Sequence, residues 1–174
     1  MSNESVRNAM QGAIDYLTEH PNDARATDSP ATATMEDGLR CVVTGPDGAE
    51  ARSDMVTSVG GTNTAPSPGW LARAATASCV ATLVAMKAAL EGVELSGLEV
   101  TVDSESNDLG ILGISDEVPA GPLSVRVRVR LESTNGDADS LREIVRWADD
   151  HCPVTDLTRR QVPMNLETEI AGRR

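Results

Sequence analysis

A chain of 174 residues can hold one domain with its own core. It has no Phe, two Trp and one Tyr, so that core rests on Val, Leu, Ile, Met and Ala, which bury less area than aromatic side chains. The formal net charge of −12 repels phosphate backbones and anionic lipid, which argues against nucleic acid and membranes as partners.

The N-terminus lacks the basic start, apolar run and small-residue cleavage site of a secretory leader. Within residues 4–19, Val6, Met10, Ala13, Ile14 and Leu17 recur at three- and four-residue spacing. The pattern predicts an amphipathic helix, ended by His20-Pro21-Asn22-Asp23. We read 1–24 as a helical appendage on a domain spanning 25–174. Residues 31–36 and 39–44 predict two strands joined at Asp37-Gly38, a strong hairpin signal. A turn at Gly45-Pro46-Asp47-Gly48 leads to a third strand over 49–57, and residues 60–69 have the composition of a loop.

Residues 70–91 give the clearest helix. It is rich in Ala, carries only Arg73, Lys87 and Glu91 as charges, and stops at Gly92. A helix apolar around most of its girth is expected to be buried. Cys79 lies near its middle. Residues 97–105 alternate as a strand, and 107–121 are irregular and Gly-containing. Residues 123–131 alternate without a break, with Leu123, Val125, Val127, Val129 and Leu131 on one side. Arg126, Arg128 and Arg130 take the other side, as a solvated face or an anion-binding strip. After a turn at Asn135-Gly136-Asp137, a helix over 139–150 presents Leu141, Ile144, Val145 and Ala148 on one face. Pro153 suits the first position of a further short helix, which makes Cys152 its N-cap. Residues 161–170 alternate again and predict a last strand. Antiparallel strands interrupted by helices give an α+β layout.

The chemistry-bearing residues are the three cysteines, Cys41, Cys79 and Cys152. An odd, low count does not form a secreted disulfide framework and points to a reducing cytoplasm. Cys79 alone is accounted for as a small buried hydrophobe. Cys152 at an N-cap faces unpaired backbone N–H groups, which favour the thiolate. The helices carrying Cys79 and Cys152 both bring apolar faces to the core. If they cross, two thiols can run a peroxide cycle, through a sulfenic acid to a disulfide. Cys41 sits in an alternating strand and is expected in the core. His20 and His151 are too scattered with the cysteines for a structural zinc site, and no phosphate-binding loop is present. No cofactor is expected.

The segment from Ser67 to Cys79 resembles the Pro-x-x-Leu-x-x-Ala-x-x-x-Cys helix start of the osmotically inducible protein C / organic hydroperoxide resistance (OsmC/Ohr) family. His151-Cys152-Pro153-Val154-Thr155 resembles that family's Cys-Pro motif, and the strands between follow its order over roughly residues 31–170. The resemblance implies an intertwined homodimer, with antiparallel sheets from both subunits wrapped around two central helices. It also implies thiol-dependent reduction of organic hydroperoxides, with Cys79 peroxidatic, Cys152 resolving, and a dithiol or lipoyl-type reductant. An Arg from the early hairpin would steady the thiolate, and Arg40 is our choice. One position departs from the hydroperoxide-resistance branch. Gly69 stands where that branch carries a Glu that orients the Arg. The same fold would also serve a non-catalytic binding protein for an apolar or acyl ligand, or a thiol redox sensor.

Overall fold

The computed structural model describes residues 3–172; residues 1–2 and 173–174, at the ends of the two expected segments, lie outside it. Helix α1 spans Asn3–Glu19. Strands β1 (Thr32–Asp37), β2 (Arg40–Thr44) and β3 (Glu50–Ser53) form an antiparallel meander. Helix α2 (Pro68–Glu91) leads to β4 (Leu95–Glu105), the short helix α3 (Asp108–Ile111) and β5 (Ser124–Ser133). Helices α4 (Ala138–Asp150) and α5 (Pro153–Arg159) complete the described elements. The mixed α+β layout with antiparallel sheets is the one expected.

Helix α2 has clear local signals at both ends. The Ser67 hydroxyl caps it by accepting from the Trp70 N–H (3.2 Å), and Pro68 occupies the first turn. At the far end Gly92 takes the left-handed conformation (φ 72°) that terminates a helix most cheaply. Helix α1 docks on this end. Arg7 Nε donates to the Ala89 carbonyl (2.8 Å) and Asn3 Nδ2 to the Val93 carbonyl (2.9 Å), so two side chains of α1 satisfy acceptors at and beyond the end of α2.

Thr76, Val80, Val84 and Ala88 form a four-residue ridge along α2, all buried. The ridge meets Ile144 and Ala148 of α4 and the inner face of the β4–β5 hairpin. From β5, Val127, Val129 and Leu131 join this core, whereas Leu123 and Val125 are half exposed, contrary to the expected face. On the other face, Asp103 pairs with both Arg126 and Arg128 (2.9 Å each), and Arg130 pairs with Glu132 (3.1 Å). These arginines form a solvated face in which each is paired with a carboxylate, two of them sharing Asp103.

Three further expectations are corrected. Helix α2 is buried along one ridge only, not around its girth, because α4 and the β4–β5 hairpin pack on limited sides of it. Residues 161–170 form no strand. They run out exposed, with Met164, Leu166 and Ile170 open to solvent, because no ladder partner is present within the protomer. Strand β3 stops at Ser53 instead of reaching residue 57.

The cause of that early stop is Asp54, a carboxylate only 1% exposed. It accepts from the N–H groups of Met55 (2.7 Å), Thr62 (3.1 Å) and Thr64 (3.0 Å), and from the hydroxyls of Thr62 (2.6 Å) and Thr64 (3.1 Å). These bonds fold residues 54–64 into a closed loop, and Gly61 packs so near the Met55 carbonyl that a Cβ would overlap it. The loop delivers the chain to Ser67 and the start of α2. The Thr62 hydroxyl and the Thr64 N–H, opposed by burial, hold the Asp54 carboxyl far below the usual range.

Two predictions follow from this packing. Ile144→Ala opens a cavity in the α2–α4 contact and should lower unfolding free energy by about 2–5 kcal/mol in chemical denaturation; a loss below about 0.5 kcal/mol would contradict the packing described. Asp54 is more acidic folded than unfolded, so its stabilisation is present above the unfolded carboxylate value near pH ~4 and is lost as pH falls below it. Thermal melts of Asp54→Asn should therefore start lower at neutral pH and fall less steeply on acidification than the parent; parallel curves would refute this role.

Candidate functional site

The core ridge of α2 determines where its cysteine goes. Cys79 precedes buried Val80 and packs at the edge of the cluster formed by Val80, Val84, Ile144, Ala148 and Cys152. Cys152 lies inside that cluster and is 0% exposed, whereas Cys79 is only half-buried. Both thiols are free. Cys79 packs against the cluster that holds Cys152, and each thiol acts on the other's titration, although 73 positions (152 − 79) separate them in the chain. The structure thus brings together the two sequence-predicted sulfurs.

Cys152 is the N-cap of α5, as expected, with Pro153 following. Burial alone would raise its pKa. The Thr155 N–H, the Cys79 thiol, the Thr155 hydroxyl and the Val154 N–H outweigh that cost and bring it below the ordinary thiol value. Cys79 moves the other way. Burial raises it first and the hydrogen bond to Cys152 adds to the rise, against the Val154 N–H. The two shifts run in opposite directions and make Cys152 the more acidic of the two thiols. Titration belongs to the pair rather than to either sulfur.

The other sequence-predicted residues are placed differently. Arg40 lies on β2, 3.8 Å from Asp37, in a meander that packs chiefly on itself. Its Nε is buried without a hydrogen-bond partner. Within the described chain Arg40 is not brought to the thiol pair. Cys41, also on β2, sits opposite Met35 and Ser53 in the ladder, half-buried and outside the core cluster, not within it as expected. Arg73 reaches Ser104 on β4 (3.2 Å). The His151 ring stacks on Trp147, with Nδ1 2.7 Å from the Trp147 carbonyl, so it is turned to its own helix. Among the described residues no His/Cys/Asp/Glu group could hold a metal ion.

Three residues at the site carry no sequence signal of periodicity or spacing. Thr155 was quoted only as part of the Cys-Pro motif, yet both its N–H and its hydroxyl act on Cys152. Asp149 and Arg159 bracket the Cys152 turn and bind each other (2.7 and 2.8 Å). A cavity of about 680 Å³ opens beside this turn, between β5 and α4. Val80, Val127, Val129, Leu141 and Val145 line it, with Arg142, Arg146, Asp149 and Arg159 supplying polar groups.

Comparison with known proteins bears on the fold and the family. No curated protein matches the chain. Among solved structures it is similar to an OsmC-like protein from Mycoplasma pneumoniae, with a TM-score of 0.66 and 11% identity, covering 78% of this chain and 89% of that one. It is also similar to an organic hydroperoxide resistance protein from Elizabethkingia anophelis, with a TM-score of 0.57 and 17% identity over 78% and 91% of the two chains. The organic hydroperoxide resistance protein OsmC from Legionella pneumophila gives a TM-score of 0.56 and 19% identity over 78% and 91%. At these identities the likeness is one of fold. The family model described as OsmC-like protein matches residues 61–167, from the loop before α2 through both cysteines, and the chain belongs to that family.

Proposed function

We propose that the protein is a thiol-dependent peroxidase that reduces organic hydroperoxides in the cytoplasm, with Cys79 as the peroxidatic and Cys152 as the resolving thiol. The carrying observation is the packing of a half-open thiol against a fully enclosed one that is the more acidic of the pair. Only Cys79 is open to an incoming peroxide. The names of the structural relatives, several of them organic hydroperoxide resistance proteins, support the substrate class.

The asymmetry of the pair suggests how it works. Cys152 first takes the Cys79 proton, which makes Cys79 the nucleophile. The Cys79 sulfur attacks the distal peroxide oxygen, the O–O bond breaks, and the Cys152 proton passes to the leaving alkoxide to give the alcohol. Cys152, again a thiolate, attacks the sulfenic sulfur of Cys79 and expels hydroxide as the disulfide forms. A dithiol, of the lipoyl type in the family resemblance, returns both sulfurs to the reduced state.

The working unit in this proposal is an intertwined homodimer. Four observations support it: the open flank of α2, a meander that packs chiefly on itself, the buried and unpartnered Arg40 Nε, and the exposed apolar residues of 161–170. In the dimer Arg40 is proposed to steady the Cys79 thiolate of the partner. A second reading, an apolar-ligand binding protein, is favoured by the cavity of about 680 Å³ with its valine and leucine lining.

Cumene hydroperoxide added to the reduced protein should remove two thiols and two hydrogen masses per chain. Cys79→Ser should abolish this, and Cys152→Ser should trap a sulfenic acid on Cys79. Unchanged thiols and mass at excess oxidant would instead favour the binding protein. Light scattering at micromolar concentration should give a dimer, and a monodisperse monomer would contradict the intertwined assembly.

A further inference from the structure

The cavity of about 680 Å³ between β5 and α4 has walls of two kinds. Val127 and Val129 of β5, Val80 of α2, and Leu141 and Val145 of α4 make an apolar wall. The ionisable lining is Arg142, Arg146, Arg159 and Asp149, three cations to one carboxylate. This local excess of positive charge stands in a chain whose formal net charge is −12. Along α4 the two kinds of wall run side by side. Leu141 and Val145 lie one turn apart and share a row, and Arg142 and Arg146 repeat that row one position on.

The three guanidinium groups are held differently. Arg159 is closed off by Asp149. It donates through Nη2 to both carboxylate oxygens (2.7 and 2.8 Å) and through Nη1 to the main-chain oxygen (3.1 Å). That clamp neutralises the one carboxylate of the lining. Among the described residues, Arg142 is held by a single bond from Nη1 to Asp139 (2.5 Å), and Arg146 by a single bond from Nη1 to Glu143 (2.6 Å). A guanidinium has five N–H donors, so most of theirs remain for a ligand. Both pairs are open to solvent, with the Asp139 side chain 92% exposed and that of Glu143 66%, and pairs so exposed contribute little. An anion in the cavity can therefore take up Arg142 and Arg146 at small cost. Side chains one turn apart on a helix are close enough to hold one carboxylate between them. A neutral apolar ligand would leave these cations unused, and a cationic one would meet the local excess of like charge.

We propose that this cavity binds a single-chain fatty carboxylate, with its hydrocarbon on the valine and leucine wall and its carboxylate on Arg142 and Arg146. The inference rests on the reading of the cavity as an apolar-ligand site and adds the head group that orients the ligand. It is independent of turnover at Cys79.

Calorimetric titration of the reduced full chain with decanoate and with 1-decanol, both below micellar concentration, tests it. Decanoate should bind more tightly than decanol, and more tightly than octanoate by about tenfold, since two further methylenes are buried. Added salt should weaken decanoate and leave decanol unchanged. Arg142→Gln combined with Arg146→Gln should weaken decanoate by about tenfold while decanol stays within about twofold. Asp139→Asn combined with Glu143→Gln frees both guanidinium groups and should tighten decanoate, a direction that a damaged fold cannot produce. If the parent binds decanoate and decanol alike, the apolar-ligand site stands and the fatty-carboxylate proposal fails. Tighter binding of decyltrimethylammonium than of decanoate would also overturn it. If none of these ligands binds, the site and the proposal fail together, as they would were a second copy of the chain to fill the cavity. No hydroperoxide enters the titration, so its outcome is separable from the peroxidase reading.

Discussion

The packing of a half-open thiol, Cys79, against the cluster that encloses Cys152 is the contact on which the proposed chemistry depends. It exists because α2 and α4 cross through a small-residue core in which Val80, Val84 and Ala88 meet Ile144 and Ala148. Valine and alanine let the helices approach closely, and α4 hands the chain straight into the Cys152 turn. Without Phe, this contact has no bulky ring to hold the helices apart. The composition that first reads as a poor core thus permits the thiol contact.

The two sulfurs occupy unlike environments, and the difference divides the labour. Cys152 gives up exposure for two backbone N–H groups, a hydroxyl and a thiol donor, and these more than offset its burial. Cys79 is the less acidic and lies at the cluster's edge. Neither is equipped alone, since the accessible sulfur is the less acidic and the more acidic one is shut in. At Gly69, where the family resemblance would place a Glu, a Cβ would meet little beyond Arg73 Nη1 at 3.8 Å. Beside the Cys152 turn, Asp149 and Arg159 make a carboxylate–guanidinium contact of their own.

What was legible in the sequence was what local chemistry dictates. The Ser67 cap, the Gly92 stop, the alternation of β5 and the Cys152–Pro153 helix start all stand as read. Alternation along 161–170 shows which residues share a face but not which strand lies beside them, and within the protomer none does. Strand β3 was overextended because one buried carboxylate, Asp54, collects loop donors from up to ten residues away, a contact with no periodic trace. Thr155, Asp149 and Arg159 escaped for the same reason. Their roles come from a turn closing on itself, and sequence spacing records no such closure. Arg40 was chosen for its nearness to a turn, but that turn belongs to a meander lying apart from the α2–α4 contact.

The most direct test of the central contact is peptide mapping of the folded protein after mild oxidation, under non-reducing conditions. The account predicts one disulfide, joining the peptide that carries Cys79 to the peptide that carries Cys152, with Cys41 left reduced. A bridge to Cys41, or three thiols still free, would contradict it.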